Sequence, residues 1–242
     1  MRALWIFLFL LTTLEGYAAG SNEVNCRFVC LDVSAPPEFI LSSAKGVEAK
    51  LTVPTNSLSS ISHCTTKGGI LRVLAANNRE VAAVVAMPSK MRSVIIVLVA
   101  SPRGVVGPAW QAHVIEDSPK NFQDGGVLIA NFHNQNIRFT IGKTELELPP
   151  RGVRSSPRPS LLDDFNMAGV GTQIQQGSSW TTITETMLRF LPGSRYLIFA
   201  TTDIDSGRPR ILNFHDVKPT THTLEVHNAV PTNLMLCSTK GT

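Results

Sequence analysis

The residues of this chain that could do chemistry are four cysteines, six histidines, two spaced pairs of carboxylates and a concentration of arginines in the second half. The cysteines are Cys26, Cys30, Cys64 and Cys237. An even count in an oxidising compartment points to disulfides. Cys26 and Cys30 sit four apart on an expected strand, so they stand roughly 13 Å apart and cannot bond each other. The expected bonds join each of them to Cys64 or Cys237, with free buried thiols as the alternative. A metal site is the third reading, but Cys-x3-Cys with His63-Cys64 fits zinc spacing poorly. The histidines, His63, His113, His133, His215, His222 and His227, are scattered and read as surface or packing residues. Adjacent residues of an extended chain point to opposite faces, so His215-Asp216 is not a dyad. Glu145 and Glu147 share one face of a strand, where they read as the solvated side of a sheet edge. Asp203-Ile204-Asp205-Ser206-Gly207 lacks the third acid and the distal Glu of a calcium loop and reads as a hairpin turn. The chain has no nucleophile elbow, phosphate loop, dinucleotide loop or zinc-protease helix motif. These readings assign no catalytic, cofactor-binding or metal-ligating residue.

Arginine grips carboxylates and phosphates through paired N–H donors. Arg151, Arg154, Arg158, Arg208 and Arg210, with Arg189 and Arg195 nearby in sequence, are therefore the candidate anion-binding residues, for an acidic glycan or a lipid head group. A solvated basic surface is the plainer reading. The net charge of +4 is dispersed, with no Lys/Arg run to track a nucleic-acid backbone, so nucleic acid is not an expected partner. Trp110 and Trp180 fall inside expected strands and read as core, which argues against sugar stacking.

The elements that would hold these residues are short strands. Residues 1–20 have the pattern of a cleaved secretory signal: Met1-Arg2, the apolar run Ala3–Leu11, then small residues. No later stretch is long and apolar enough for a transmembrane helix. The mature chain is expected to be exported, to the periplasm or beyond, and not membrane-spanning after cleavage. Hydrophobic residues at 43% are enough for a packed core, and helical periodicity is absent from its first half. Cys26–Val33 and Val94–Ala100 are apolar on both faces, so both are expected to be covered on both sides. Val47–Val53, Ile70–Ala75, Glu80–Met87 and Trp110–Ile115 are further strands. Asn56–Ser62 reads as loop. Asn121–Pro150 reads as a three-strand meander, 127–130, 137–141 and 145–148. Pro149–Ser160 is a long surface loop or a strand between loops. A short strand within Phe165–Ile174 follows, then the strands Trp180–Phe190, Tyr196–Ala200 and Arg210–Phe214, with Leu191–Ser194 as a hairpin turn. Thr223–Val226 and Leu234–Cys237 are two more candidate strands. Gly68–Asn78 echoes Gly125–Asn134, each a Gly-Gly start, an apolar strand and an Asn turn.

The order Phe28…Leu31, Ile115-Glu116-Asp117-Ser118-Pro119…Phe122, Gly126–Asn131, a Gly142 turn and Leu148-Pro149-Pro150 resembles uncharacterised exported bacterial β-sandwich proteins. Val127–Pro150 is also similar in style to periplasmic alginate-acetylation accessory proteins. The resemblance implies an exported β-sandwich and brings no catalytic residue. The expected fold is all-β and mostly antiparallel, two packed sandwich units of immunoglobulin-like or jelly-roll-like type, over 21–118 and 119–242. The expected function is a non-enzymatic cell-envelope protein for binding or assembly, with another envelope protein or an acidic glycan as partner. The alternative is an accessory protein or enzyme acting on acidic envelope polysaccharide.

Overall fold

The computed structural model describes residues 21–31, 37–42, 48–102, 104 and 106–217. The expected signal segment, Cys237, His222, His227 and the strand candidates after 220 lie outside these residues. About 60% of the described residues are strand, and these residues contain no helix. In order the strands are β1 (Ser21–Leu31), β2 (Glu38–Ser42), β3 (Glu48–Thr52), β4 (Ser62–Lys67), β5 (Ile70–Ala75), β6 (Val81–Ala86), β7 (Ser93–Ala100), β8 (Trp110–Glu116), β9 (Val127–Asn131), β10 (Ile137–Ile141), β11 (Thr144–Leu148), β12 (Val153–Ser156), β13 (Met167–Gln176), β14 (Ser179–Arg189), β15 (Ser194–Thr202) and β16 (Pro209–Val217).

The first eight strands pair as β4-β1-β7-β8 and as β3-β2-β5-β6, joined into one bent sheet only where Lys67 of β4 meets Ile70 of β5. The last eight form β12-β9-β15-β16 and β11-β10-β13-β14. Strand for strand these are the same plan. β1 runs parallel to β7, as β9 does to β15, and the other pairings are antiparallel. Even the irregularities match. The β5–β6 pairing slips after Val73 and the β13–β14 pairing slips after Thr172. The extra residues at these bulges, Ala82 of β6 and Ile183 of β14, both pack into their own core. The chain thus repeats one eight-strand arrangement, which its sequence shows faintly.

Three apolar layers hold the stack. One core lies between the two sheets of the first eight strands, around Phe28, Phe39, Leu71, Val85 and Leu98. A second lies between the two sheets of the last eight, around Phe139, Ile129, Phe190 and Ile198. The third joins the inner sheets: Val29, Leu31, Ile95, Val97 and Ile115 pack against Leu128, Ala130, Leu197, Phe199 and Phe214. Laying one half over the other so that Asp117 matches Asp216 brings Val29 onto Ala130, Ile95 onto Leu197, Val97 onto Phe199 and Ile115 onto Phe214. The two halves therefore meet through equivalent faces. This also explains the strand patterns: a strand covered on both sides reads as an unbroken apolar run, as in SVIIVLVA of β7 and VLIAN of β9.

Several expectations need correction. Asn121–Pro150 is not a meander: β9 belongs to the inner sheet, and only β10 and β11 form a hairpin, in the outer sheet. Leu191–Ser194 turns as expected, with Gly193 at φ 77°, yet it carries the chain from the outer sheet to the inner one and is not a hairpin turn. Turn chemistry fixes local backbone direction; packing decides which sheet the next strand joins. β2 and β4 escaped notice because their short sequences, EFILS and SHCTTK, lack a clear alternation. The Gly-Gly echo aligns β5 with β9, which are not equivalent strands; the equivalent of β5 is β13.

Candidate functional site

The densest group of charged side chains lies inside the inter-sheet layer. Arg195 is the second residue of β15 and pairs across the ladder with Asp216 of β16. Its Nε and Nη2 donate to Asp216 Oδ2 at 3.1 and 2.5 Å, and its Nη1 donates to Asp117 Oδ1 at 2.8 Å. Arg27 of β1 reaches the same carboxylate from the other half, donating to Oδ2 at 3.0 Å and Oδ1 at 2.7 Å. The Arg195 guanidinium lies 3.9 Å from the centre of the Phe122 ring, and Arg27 Nε donates to the Ser59 carbonyl. Arg195 and Asp216 are each only 3% exposed. Burial by itself would push the Asp216 pKa up, but hydrogen bonds and charge from Arg27 and Arg195 outweigh it and hold the carboxyl below its ordinary value. Burial likewise disfavours charge on Arg195, and Asp117 and Asp216 reverse this, so its pKa is raised.

Two arginines and two aspartates thus neutralise one another where the halves meet. A buried ion pair roughly breaks even against an apolar replacement. The apolar layer therefore supplies the adhesion, and the tetrad ties Arg27 and Asp117 of the first half to Arg195 and Asp216 of the second. Sequence reasoning placed Asp216 beside His215 and Arg195 among surface arginines. The signal that it passed over is a charge embedded in an apolar strand, as in SRYLIFATT and NCRFVCL. His215 does point to the opposite face, stacked on Tyr196 with 4.9 Å between ring centres.

The other candidates resolve separately. Cys26, Cys30 and Cys64 are buried free thiols, and Cys26 and Cys64 are 3.2 Å apart, in contact but unbonded. Burial pushes the Cys30 thiol up to about 12. No group of three or more His, Cys, Asp or Glu side chains that could hold a metal ion occurs among the described residues. Asp203 Oδ1 accepts from the Ser206 backbone N–H and hydroxyl at 2.8 and 2.7 Å, closing the β15–β16 hairpin with Gly207 at φ 68°. Glu145 and Glu147 lie on the exposed face of the edge strand β11 and flank Arg138.

The candidate anion-binding arginines do not converge. Arg151, Arg154 and Arg158 string along and beyond β12, at one edge of the inner sheet, while Arg208 and Arg210 belong to β16 and its turn at the other edge. With β9 and β15 between them, these edges are roughly 14 Å apart. Arg158 lies over Gly125 and donates to Asn166 at 3.1 Å.

The outer face of β10-β13-β14 carries a furrow of about 480 Å³. Gly169 and Gly171 form its floor, opposite Met187 and Glu185 of β14, with Thr140 and Gln173 on its walls. Next to Gln173 in the ladder, Arg138 lies 4.1 Å over the Trp180 ring. Trp180 thus lies on the outer face and is not core, contrary to expectation. Comparison with protein-family models and with curated proteins finds no match for this chain.

Proposed function

We propose that this chain is an exported, non-enzymatic cell-envelope protein that binds a glycan in the furrow on the outer face of β10-β13-β14. The observation that carries the reading is the glycine floor. A Cβ at Gly169 or Gly171 would meet no atom closer than 3.8 Å, so packing does not require glycine there. Its effect is to leave a trough in a sheet face. A sugar ring offers an apolar face and a rim of hydroxyls. Met187 and the floor suit the first; Thr140, Gln173 and Glu185 suit the second. Arg138 is flanked by two glutamates and Glu185 adds a third carboxylate, which favours a neutral or amino sugar over a polyanion. The resemblance to exported β-sandwich proteins supports export, and the repeated strand plan supports two sandwich units meeting near Ser118.

A second reading keeps the acidic polysaccharide, on the strength of Arg151, Arg154 and Arg158 along one sheet edge. Glycan-array binding at two salt concentrations separates them. Furrow binding is lost in Gly171→Trp, which fills the trough, and withstands added salt. Edge binding to a polyanion weakens with salt and with Arg154→Ala, and is untouched by Gly171→Trp. Neutral-glycan binding that survives Gly171→Trp refutes the furrow reading.

A further inference from the structure

β1 and β4 run antiparallel with Val24 opposite Cys64 and Cys26 opposite Ser62. Cys26 and Cys64 are therefore diagonal neighbours, and both face the core of the first eight strands. Their side chains already touch at 3.2 Å. A disulfide needs its sulfurs about 2 Å apart, an approach of roughly 1 Å, which small side-chain rotations supply. The third described cysteine has no such neighbour. Cys30 lies on the same face of β1, roughly 13 Å along the strand from Cys26 and further still from Cys64. The Cys26–Cys64 thiol pair is thus the one pair among the described cysteines that the fold holds within reach.

We propose that Cys26 and Cys64 are oxidised to a disulfide that staples β1 to β4, and that Cys30 takes no part in it. The proposal rests on the export reading for its oxidant, a disulfide-bearing protein oxidoreductase of an oxidising compartment. One cysteine thiolate attacks that disulfide and forms a mixed disulfide. The second cysteine then displaces it, so the Cys26–Cys64 bond forms and the oxidoreductase leaves as a dithiol carrying both protons and both electrons. In the folded chain Cys26 is 0% and Cys64 3% exposed. An oxidant cannot reach them there, so the bond forms before β4 closes on β1. For the same reason the finished bond resists reductants until the sheet opens.

Two measurements test this on the full chain. The first is non-reducing peptide mapping of protein recovered from cells, with free thiols alkylated in denaturant and the cell fraction recorded. The expected result is a Cys26–Cys64 cross-linked peptide with alkylated Cys30, unchanged in Cys30→Ser. An exported protein with Cys26 and Cys64 both alkylated overturns the proposal. The second is refolding of reduced, denatured chain with oxidised glutathione. Here Cys26–Cys64 should be the dominant cross-link, and a dominant bond from Cys26 or Cys64 to Cys30 or Cys237, or a scrambled mixture, overturns it. Recovery of the chain in the cytosolic fraction refutes export alone, because refolding then decides the pairing by itself.

Discussion

Asp216→Asn is the sharpest probe of how the halves are joined. The substitution keeps the shape of the side chain and removes one negative charge. Arg27 and Arg195 both spend their paired donors on this carboxylate, and Arg195 would keep Asp117 as its one hydrogen-bonded carboxylate, beside the Phe122 carbonyl. Removing one partner of a buried ion pair costs about 3–5 kcal/mol, because the remaining charge stays desolvated. Arg195 is 3% exposed, so it lies at the buried end of that range; the Arg27 side chain, at 15%, regains some water. About 3 kcal/mol is the expected loss at neutral pH, a large share of a typical stability of about 5–15 kcal/mol. The pH dependence has a fixed sign. The Asp216 pKa is lowered in the folded chain from its ordinary 3.8. Its contribution is therefore fully present above pH 3.8 and is lost as pH falls through the folded value. Urea denaturation of wild type and variant, at neutral pH and again well below pH 3.8, measures both. A loss below about 1 kcal/mol at neutral pH, the size of a surface pair, or a gap that does not narrow in acid, refutes the view that the tetrad is a buried and mutually dependent unit.

Other outcomes follow from the repeated strand plan. Thr172 is fully buried with an unpartnered hydroxyl, and its counterpart at the matching bulge is Val73. Thr172→Val should stabilise the chain by about 1 kcal/mol, since it removes an unpaired polar group at nearly constant shape; thermal unfolding checks this. At Gly126 an added Cβ would meet the Ser156 and Gln123 carbonyl oxygens at 2.8 and 3.1 Å. Gly126→Ala should therefore cost about 1–3 kcal/mol through forced backbone movement, read from the shift of the urea midpoint. Residues 21–117 expressed alone would expose Val29, Leu31, Ile95, Val97 and Ile115 together. That face already matches an equivalent one, so the fragment should self-associate, and sedimentation should find dimers or larger species instead of monomers.

The strands that could be read from the sequence were those with strong apolar character. β7 announces itself as an unbroken run because both its faces are covered, β1 carries apolar residues on both faces around Arg27, β6 is apolar throughout, and β5 and β10 alternate or nearly so. β2 and β4 could not be read in this way. They are strands because neighbours on either side offer a ladder, and a ladder is a property of the partner as much as of the segment. The candidate site was less legible still. Cys26 and Cys64 were two of four cysteines with several pairings open, and only the diagonal register of β1 on β4 brings these two together. Arg27 and Asp216 form a pair across 189 positions of chain.

By itself the sequence determined the all-β class, the places of several turns and two of the strands covered on both sides. Period, apolar content and Gly/Pro placement act over a few residues, and these features need no more range than that. The tertiary structure decided which sheet each strand joins, that the second eight strands repeat the plan of the first, and that Arg27, Asp117, Arg195 and Asp216 meet in a single buried group. The physical reason is that the buried layer between the halves is made by residues far apart in the chain. Each of its charges is tolerable only because the others are already in place, and no local pattern records that condition.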